Sequence, residues 1–480
     1  MKIKQRTMQR QNSYIILILI CCFCQSSFGQ DTLRLSRNEF LAIVKNYHPM
    51  AFKYRLENRI ASAGIQQAKG NFDPVLDAKT GEKTIDGTQY YQQRNIGLGI
   101  PTWYGIELNG SYSYLDGEKL NNSDTKGGLY QVGVTVPLAK NLLYDKRRAL
   151  LEQAQIAQRM TEAEQTVLTN ELMLEAENSY WEWVKQYELY RLQREIVNIN
   201  KERLAFVIKT FHYGEQAAID TTEALSQLQN YELEQQDAYL QFVSATQKLS
   251  IYLWEEDLKP YPVTEGLVPS ERLQNNTDDT QYTDLLAQVD AHTLNGHASV
   301  RYYDEKGKIL ESERRLKLQS LLPKIDFSYN FYNKEGYTHQ FFPLFDNNFQ
   351  YGLKLEIPIF LRQARADYKM AKLKIDQNSL DLAYKSQELV TKITGYKNEI
   401  YNYWSQIGIA TKNMDNYKRL LMAEQSKYAN GESSLFLINS RENKLIDAQE
   451  KILELKLKFL KSYNKLKWTN ANFDSSVALR

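Results

Sequence analysis

Polar and apolar residues alternate along this chain with two different periods, and the periods come in separate blocks. In Ile325, Phe327, Tyr329 and Phe331 an apolar face alternates with Asp326, Ser328 and Asn330; in Phe349, Tyr351, Leu353, Leu355 and Ile357 it alternates with Gln350, Gly352, Lys354 and Glu356. Successive strand side chains point to opposite faces, so both runs predict strands with one apolar and one strongly polar face. Tyr130, Val132, Val134 and Val136 carry the same dyad, and Ile96, Leu98 and Ile100 followed by Leu108, Gly110, Tyr112 and Tyr114 predict one more hairpin upstream. Such strands suit a sheet between lipid and a water-filled lumen, or a hairpin lying on a soluble core. The aromatic residues Phe341, Phe342, Phe345 and Phe349 around the connecting loop favour lipid. The expected lipid-facing side chains are then Ile325, Phe327, Tyr329, Tyr351, Leu353, Leu355, Val132 and Val134.

The second period is helical. From Arg148 to Gly214 and from Arg365 to Gly431, 66 residues each, there is no proline, and Gly395 and Gly408 are the glycines within the second stretch. A continuous helix of that length spans about 100 Å at 1.5 Å per residue. After each terminal glycine comes a shorter segment with apolar or small residues at steps of four and three: Ala224, Leu228, Tyr231, Ala238, Phe242, Ala245, Leu249 and Tyr252, then Leu445, Ala448, Ile452, Leu455, Phe459 and Leu466. That spacing predicts antiparallel coiled-coil packing. A flanking line of Ile446, Leu453 and Leu460 predicts neighbours on two sides of the last helix.

The landmarks repeat. Ala154 and Ala371 each follow their Arg by six residues, Glu215 and Glu432 follow their Gly, and Pro74 with Asp77 answers Pro323 with Asp326. The chain therefore reads as a tandem duplication. The expected divisions are a signal peptide over 1–29, N-terminal helices over 30–73, a strand block with an extra hairpin over 74–138 and a long helical hairpin over 139–254. A linker over 255–282, an opening helix over 283–322, a second strand block over 323–359, a second helical hairpin over 360–468 and a tail over 469–480 complete it.

Composition adds direction. The 22 Gly and 10 Pro are few for 480 residues, which agrees with long regular elements, and the 33 Tyr suit surfaces that are apolar at one end and wet at the other. Residues 1–29 hold Lys2, Lys4, Arg6 and Arg10, no acid, and an apolar run from Tyr14 to Cys24 too short to span a bilayer, followed by Ser27 and Gly29. Removing that leader takes the 60 basic residues to 56 against 58 acidic ones, a net charge of −2, which argues against nucleic-acid binding. Cys21, Cys22 and Cys24, all the cysteines, would leave with it. An exported chain without a long apolar helix can enter a membrane only as strands. Four strands from two blocks cannot close a pore when small membrane barrels use about eight, so several protomers would share one barrel.

The opening helix from Leu35-Ser36 through Asn46-Tyr47-His48-Pro49, the duplicated strand-and-long-helix unit and the motif Tyr428-Ala429-Asn430-Gly431, with its counterpart Phe211-His212-Tyr213-Gly214, resemble the TolC-like outer-membrane efflux and secretion channels. The resemblance implies an α+β fold of two tandem repeats: a homotrimeric transmembrane β-barrel, four strands from each protomer, continued by a long α-helical periplasmic barrel. It implies an outer-membrane conduit of a tripartite efflux or type I secretion system, partnered by a periplasmic adaptor and an inner-membrane pump of RND or ABC type. Asp220 and Tyr428 match gate positions. The tips Tyr213-Gly214-Glu215 and Asn430-Gly431-Glu432 match the adaptor-docking site. Ser433, Leu437 and Ser440 replace a gate arginine and two acidic positions found in the best-studied members, so closure here would differ.

Catalysis has no support. His48, His212, His292, His297 and His339 lack metal-ligand spacing apart from His292 and His297, which fall in the linker region, and there is neither a phosphate-cradling glycine loop nor a G-x-S-x-G, so no enzyme activity, metal or cofactor is expected. The rival readings are a periplasmic coiled-coil adaptor and a non-transporting surface protein.

Overall fold

The computed structural model describes residues 33–121, 123–262, 266–273, 286, 294, 296–335 and 348–469. The expected signal peptide, the loop residues Phe341, Phe342 and Phe345, His292, His339 and nearly all of the tail lie outside the described residues.

In chain order, β1 (Arg34–Leu35), α1 (Arg37–Tyr47) and α2 (Pro49–Lys69) precede four strands, β2 (Val75–Ile85), β3 (Thr88–Pro101), β4 (Glu107–Asp116) and β5 (Gly127–Pro137). The long helix α3 (Lys146–His212), α4 (Ala218–Ser250), β6 (Val268–Pro269) and α5 (Ala298–Gln319) follow. Strands β7 (Lys324–Lys334) and β8 (Phe349–Glu356) then lead to a second long helix, α6 (Arg362–Ala429), and to α7 (Leu435–Thr469).

The chain forms two compact units. One gathers the described residues of Lys45–Asn178, Asp278–Gly408 and Lys458–Arg480 and contains a six-stranded antiparallel sheet in the order β2-β3-β4-β5-β7-β8. The hairpin expected over Ile96–Tyr114 therefore joins the same sheet as both strand blocks, and among the described residues this sheet has six strands, against the four barrel strands implied by the resemblance. Register explains the dyads. Leu76, Leu98, Gly110, Val132, Phe331 and Phe349 are successive cross-strand partners, so one apolar row crosses all six strands. Ile100, Leu108, Val134, Tyr329 and Tyr351 form a second row across five. On the opposite face Gly99, Asn109, Gly133, Asn330 and Gln350 make a polar row. A Cβ at Gly133 would collide with the Asn109 and Asn330 side chains, so the close approach on that face requires glycine there.

The turn from β2 to β3 is Asp86-Gly87, both at positive φ (50° and 78°), the backbone that suits a two-residue hairpin to the twist of its strands. At the start of α3, Asp145 Oδ1 accepts the Arg148 N–H at 2.9 Å. Its other oxygen accepts Arg148 Nε at 3.0 Å, and the guanidinium reaches on to the carbonyls of Asn141 and Leu142 at 2.8 and 2.9 Å. The repeated Arg landmark thus fixes the chain's entry into its first long helix. Two histidines act as helix caps. His48 Nδ1 accepts the Met50 N–H at 3.2 Å and His297 Nδ1 accepts the Ser299 N–H at 3.1 Å, each the N-cap of the helix before a strand block. His48 and His297 are 249 residues apart, as are Pro74 and Pro323, so they are equivalent residues of the duplication.

The other unit gathers the described residues of Met1–Val44, Ser179–Thr277 and Ile409–Leu457. It holds long helical segments and the parallel pair β1-β6, which Tyr180 pins by donating its hydroxyl to the Leu35 carbonyl at 3.0 Å and to Glu271. Within it, Ile196 and Val197 of α3, Leu228 and Tyr231 of α4 and Ile446 of α7 form one buried cluster. Leu455 from the first apolar line of α7 and Leu453 from the second are both buried, as two-sided packing requires.

Candidate functional site

Both long helices end alike. The Glu215 N–H reaches the Thr210 carbonyl at 3.1 Å and the Gly214 N–H the Phe211 carbonyl at 2.9 Å; Glu432 reaches Lys427 at 2.9 Å and Gly431 reaches Tyr428 at 3.0 Å. These paired bonds are Schellman caps, whose last helical carbonyls are satisfied only if the chain turns through the left-handed region. Gly214 and Gly431 do so at φ 76° and 78°. No atom lies within 4 Å of a Cβ built on either, so dihedral strain rather than crowding demands glycine. Tyr213, Glu215, Asn430 and Glu432 are exposed, and with the two glycines they leave both tips open to solvent.

Asp220 and Tyr428 each have a partner of their own. Asp220 Oδ2 accepts the Ala217 N–H at 3.3 Å while its own N–H reaches the Ala217 carbonyl, satisfying a backbone donor at the start of α4. Tyr428 instead pairs with Gln216: Gln216 Nε2 donates to the phenol oxygen at 2.6 Å, and the phenol is 2.9 Å from Gln216 Oε1. The ring packs on Val207, Ala224 and Leu435, so residues of four helices converge there. The sequence patterns do not single out Gln216, although it sits two residues after Gly214, the slot that Ser433 fills after Gly431. Ser433 Oγ donates to Glu424 Oε1 at 2.6 Å, whose other oxygen lies 3.7 Å from Arg441 Nε. Leu437 and Ser440 are exposed and bring no charge to the tip.

Further from the tips, eleven residues before Gly214 and eleven after Gly431, Arg203 and Glu442 form a two-pronged ion pair at 2.6 and 2.8 Å. Asn200 Nδ2 and the Tyr231 hydroxyl add bonds to Glu442 Oε2, each at 3.3 Å, and Tyr231 also donates to Asn443 at 2.7 Å. Burial and the Glu442 carboxylate push the Tyr231 phenol well above its ordinary range, so it stays a donor. This network joins the two repeats, and no sequence pattern marks it.

The eight side chains expected to face lipid share one face of the sheet: Val132 and Val134 pair with Phe331 and Tyr329, and Ile325, Phe327 and Tyr329 with Leu355, Leu353 and Tyr351. Tyr351, Leu353 and Leu355 are more than 60% exposed, so no part of the described chain covers them.

Residues 310–468 match the family model of the outer membrane efflux proteins. The match covers about a third of the chain, its second strand block and second helical hairpin. Solved channels share its fold at low identity. The MtrE outer membrane channel of Neisseria gonorrhoeae, in its open state, is similar with a TM-score of 0.66 and 13% identity, over 90% of this chain and 88% of that one. The CmeC outer membrane channel of Campylobacter jejuni is similar with a TM-score of 0.61 and 13% identity, over 92% and 89%. VceC, an outer membrane protein of Vibrio cholerae, is similar with a TM-score of 0.61 and 13% identity, over 90% and 95%. No curated protein matches by sequence. Among the described residues no group of three or more His, Cys, Asp or Glu could hold a metal ion. No described helix is long and apolar enough to cross a membrane.

Proposed function

We propose that this chain is an outer membrane efflux protein, the exit duct of a tripartite efflux or type I secretion system. It sits in the outer membrane, extends into the periplasm and passively conducts substrate delivered by an inner-membrane pump, of RND or ABC type, and its adaptor. The carrying observation is the sheet: unbroken apolar rows on one face, a polar, glycine-containing face on the other, and two open edges. Lipid cannot hydrogen-bond open edges, so the sheet must close on other copies of itself, and the homotrimer of the family supplies that closure.

The exposed Schellman tips Tyr213-Gly214-Glu215 and Asn430-Gly431-Glu432 receive the adaptor, and Tyr428 with Gln216 holds the two tips of one copy together when the entrance is shut. Asp220 contributes to the gate by fixing the start of α4. With Ser433, Leu437 and Ser440 in place of charged residues, closure relies on this neutral hydrogen bond and on packing rather than on a charged latch.

Purified protein reconstituted in planar bilayers should conduct ions as a trimer, and deleting its gene should abolish export while leaving the pump in place. A stable, conducting monomer would overturn the shared barrel, and a trimer that passes no current would overturn the duct.

A further inference from the structure

The six strands exceed the four expected of each copy, and the surplus is the β3–β4 hairpin. Its strands have 14 and 10 residues, long enough for a bilayer that a tilted strand crosses in about 9–11. Its side chains prolong the rows described above: Leu98 and Gly110 continue Val132, Ile100 and Leu108 continue Val134, and Ile96 and Tyr112 continue Tyr130. Ile96, Leu98 and Leu108 are 53, 40 and 43% exposed, an apolar face that nothing in the described chain covers. Aromatic residues mark both ends of the hairpin, as they do where membrane strands meet the two interfaces. Trp103 and Tyr104 lie in its turn, 51 and 78% exposed, and Tyr90 and Tyr91, the third and fourth residues of β3, lie near the other end. The turn is held: Gly105, at φ 80°, lies against the Arg148 guanidinium and the Asn141 carbonyl at the start of α3.

We infer that the β3–β4 hairpin is a membrane-embedded part of the barrel wall, that each copy contributes six strands, and that the wall closes where β8 of one copy pairs with β2 of the next. This rests on the duct reading above. Strand direction allows the closure, because alternate strands of an antiparallel sheet run oppositely and β2 and β8, first and last of six, are antiparallel to each other. The outward face of β2 is suited to a seam: Leu76 and Ala78 extend the apolar rows, and Thr80 and Glu82 follow at the same parity. A trimer then has about eighteen strands, in the range of barrels that enclose an aqueous channel, with about 1.5 times the diameter of a twelve-stranded wall.

With cysteine confined to positions 21, 22 and 24, single-cysteine variants give clean labels. Spin labels at Leu98→Cys and Leu108→Cys in reconstituted trimers should be as accessible to oxygen, and as shielded from a water-soluble nickel chelate, as a label at Val132→Cys; one at Ser111→Cys should show the reverse. Aqueous exposure of Leu98 and Leu108 with Val132 still in lipid would overturn the six-strand wall and leave the duct intact. Aqueous exposure of Val132 as well would overturn both. A second test is independent of labels: Leu76→Cys with Phe349→Cys, spanned by a short bis-maleimide, should give covalent trimers on denaturing gels, whereas Leu108→Cys with Phe349→Cys should give only monomers. Trimers from the second pair and none from the first would place the seam at β4 and sink the proposal.

Discussion

Arg203 and Glu442 come from different copies of the duplicated unit, 239 residues apart, yet meet through two bonds with side chains only 15 and 10% exposed. A buried pair of this kind is a weak source of net stability, because desolvation offsets the attraction, but losing one partner strands the other's charge at a cost of about 3–5 kcal/mol. Glu442→Ala should therefore lower the denaturation midpoint of the solubilised protein sharply. Arg203→Met with Glu442→Leu should recover most of the loss. A double variant as unstable as the single would show that the pair itself, rather than the orphaned charge, carries the energy.

Tyr428 and Gln216 should behave as one unit. Tyr428→Phe and Gln216→Leu should each raise the conductance of the isolated channel, and the double variant should add little to either. Asp220→Ala should act through the α4 cap, costing about 0.5–2 kcal/mol of local stability. Additive conductance increases for Tyr428 and Gln216 would deny that their bond is the latch.

The tip glycines separate assembly from docking. Gly431→Trp should leave trimers in the outer membrane but abolish export and crosslinking to the adaptor. Gly431→Ala should act more mildly, its strain being about 1–2 kcal/mol for a left-handed alanine with open space around it. Export unchanged in the Trp variant would remove the tip from the docking surface.

Histidine capping gives a pH dependence. Burial, with Lys385 nearby, pushes the His297 imidazole below its usual 6.5, and only its neutral form can accept the Ser299 N–H at Nδ1. In the unfolded chain it takes up a proton more readily. Its contribution is therefore complete above about pH 6.5 and is lost as pH falls from there through the folded value. Melting curves of the parent and of His297→Asn, which keeps an N-cap acceptor but does not titrate, should converge at pH 8 and part below pH 6. Parallel curves across that range would exclude the cap as the sensor.

The strand faces can be read by charge. Phe327→Lys or Leu353→Lys should impair insertion at a cost of about 2–4 kcal/mol near mid-bilayer, whereas Ser328→Lys should assemble and alter only the current. The opposite outcome would exchange lumen and lipid.

Periodicity makes the strands and long helices legible because each is a local property, written in residues two, three or four apart. Register is not local. That Leu98 lies in a row with Val132 and Phe331 depends on pairings that no single dyad contains, so the extra hairpin can be seen from sequence but not placed. The tip glycines are legible because a positive φ leaves a residue-type signature, and Asp86-Gly87 carries the same signature at the first hairpin. Gln216 and Glu442 are invisible for a different reason: their partners lie more than 200 residues away, and a polar residue on a helix does not announce which neighbour it will find. His48 and His297 lack ligand spacing, yet their common offset with the prolines marks them as equivalent.

That offset has one more consequence. From His48 to His297 and from Pro74 to Pro323 the copies are 249 residues apart, but from Arg148 to Arg365 and from Gly214 to Gly431 they are 217 apart, so the 32-residue difference falls wholly within the first strand block and its approach to α3. Strand number there obeys parity. One added strand would deliver the chain to the opposite rim of the sheet and leave the following helix on the wrong side of the membrane. Two return it to the rim it left. A hairpin is thus the smallest unit by which such a wall can be widened or narrowed over evolutionary time while everything downstream keeps its orientation.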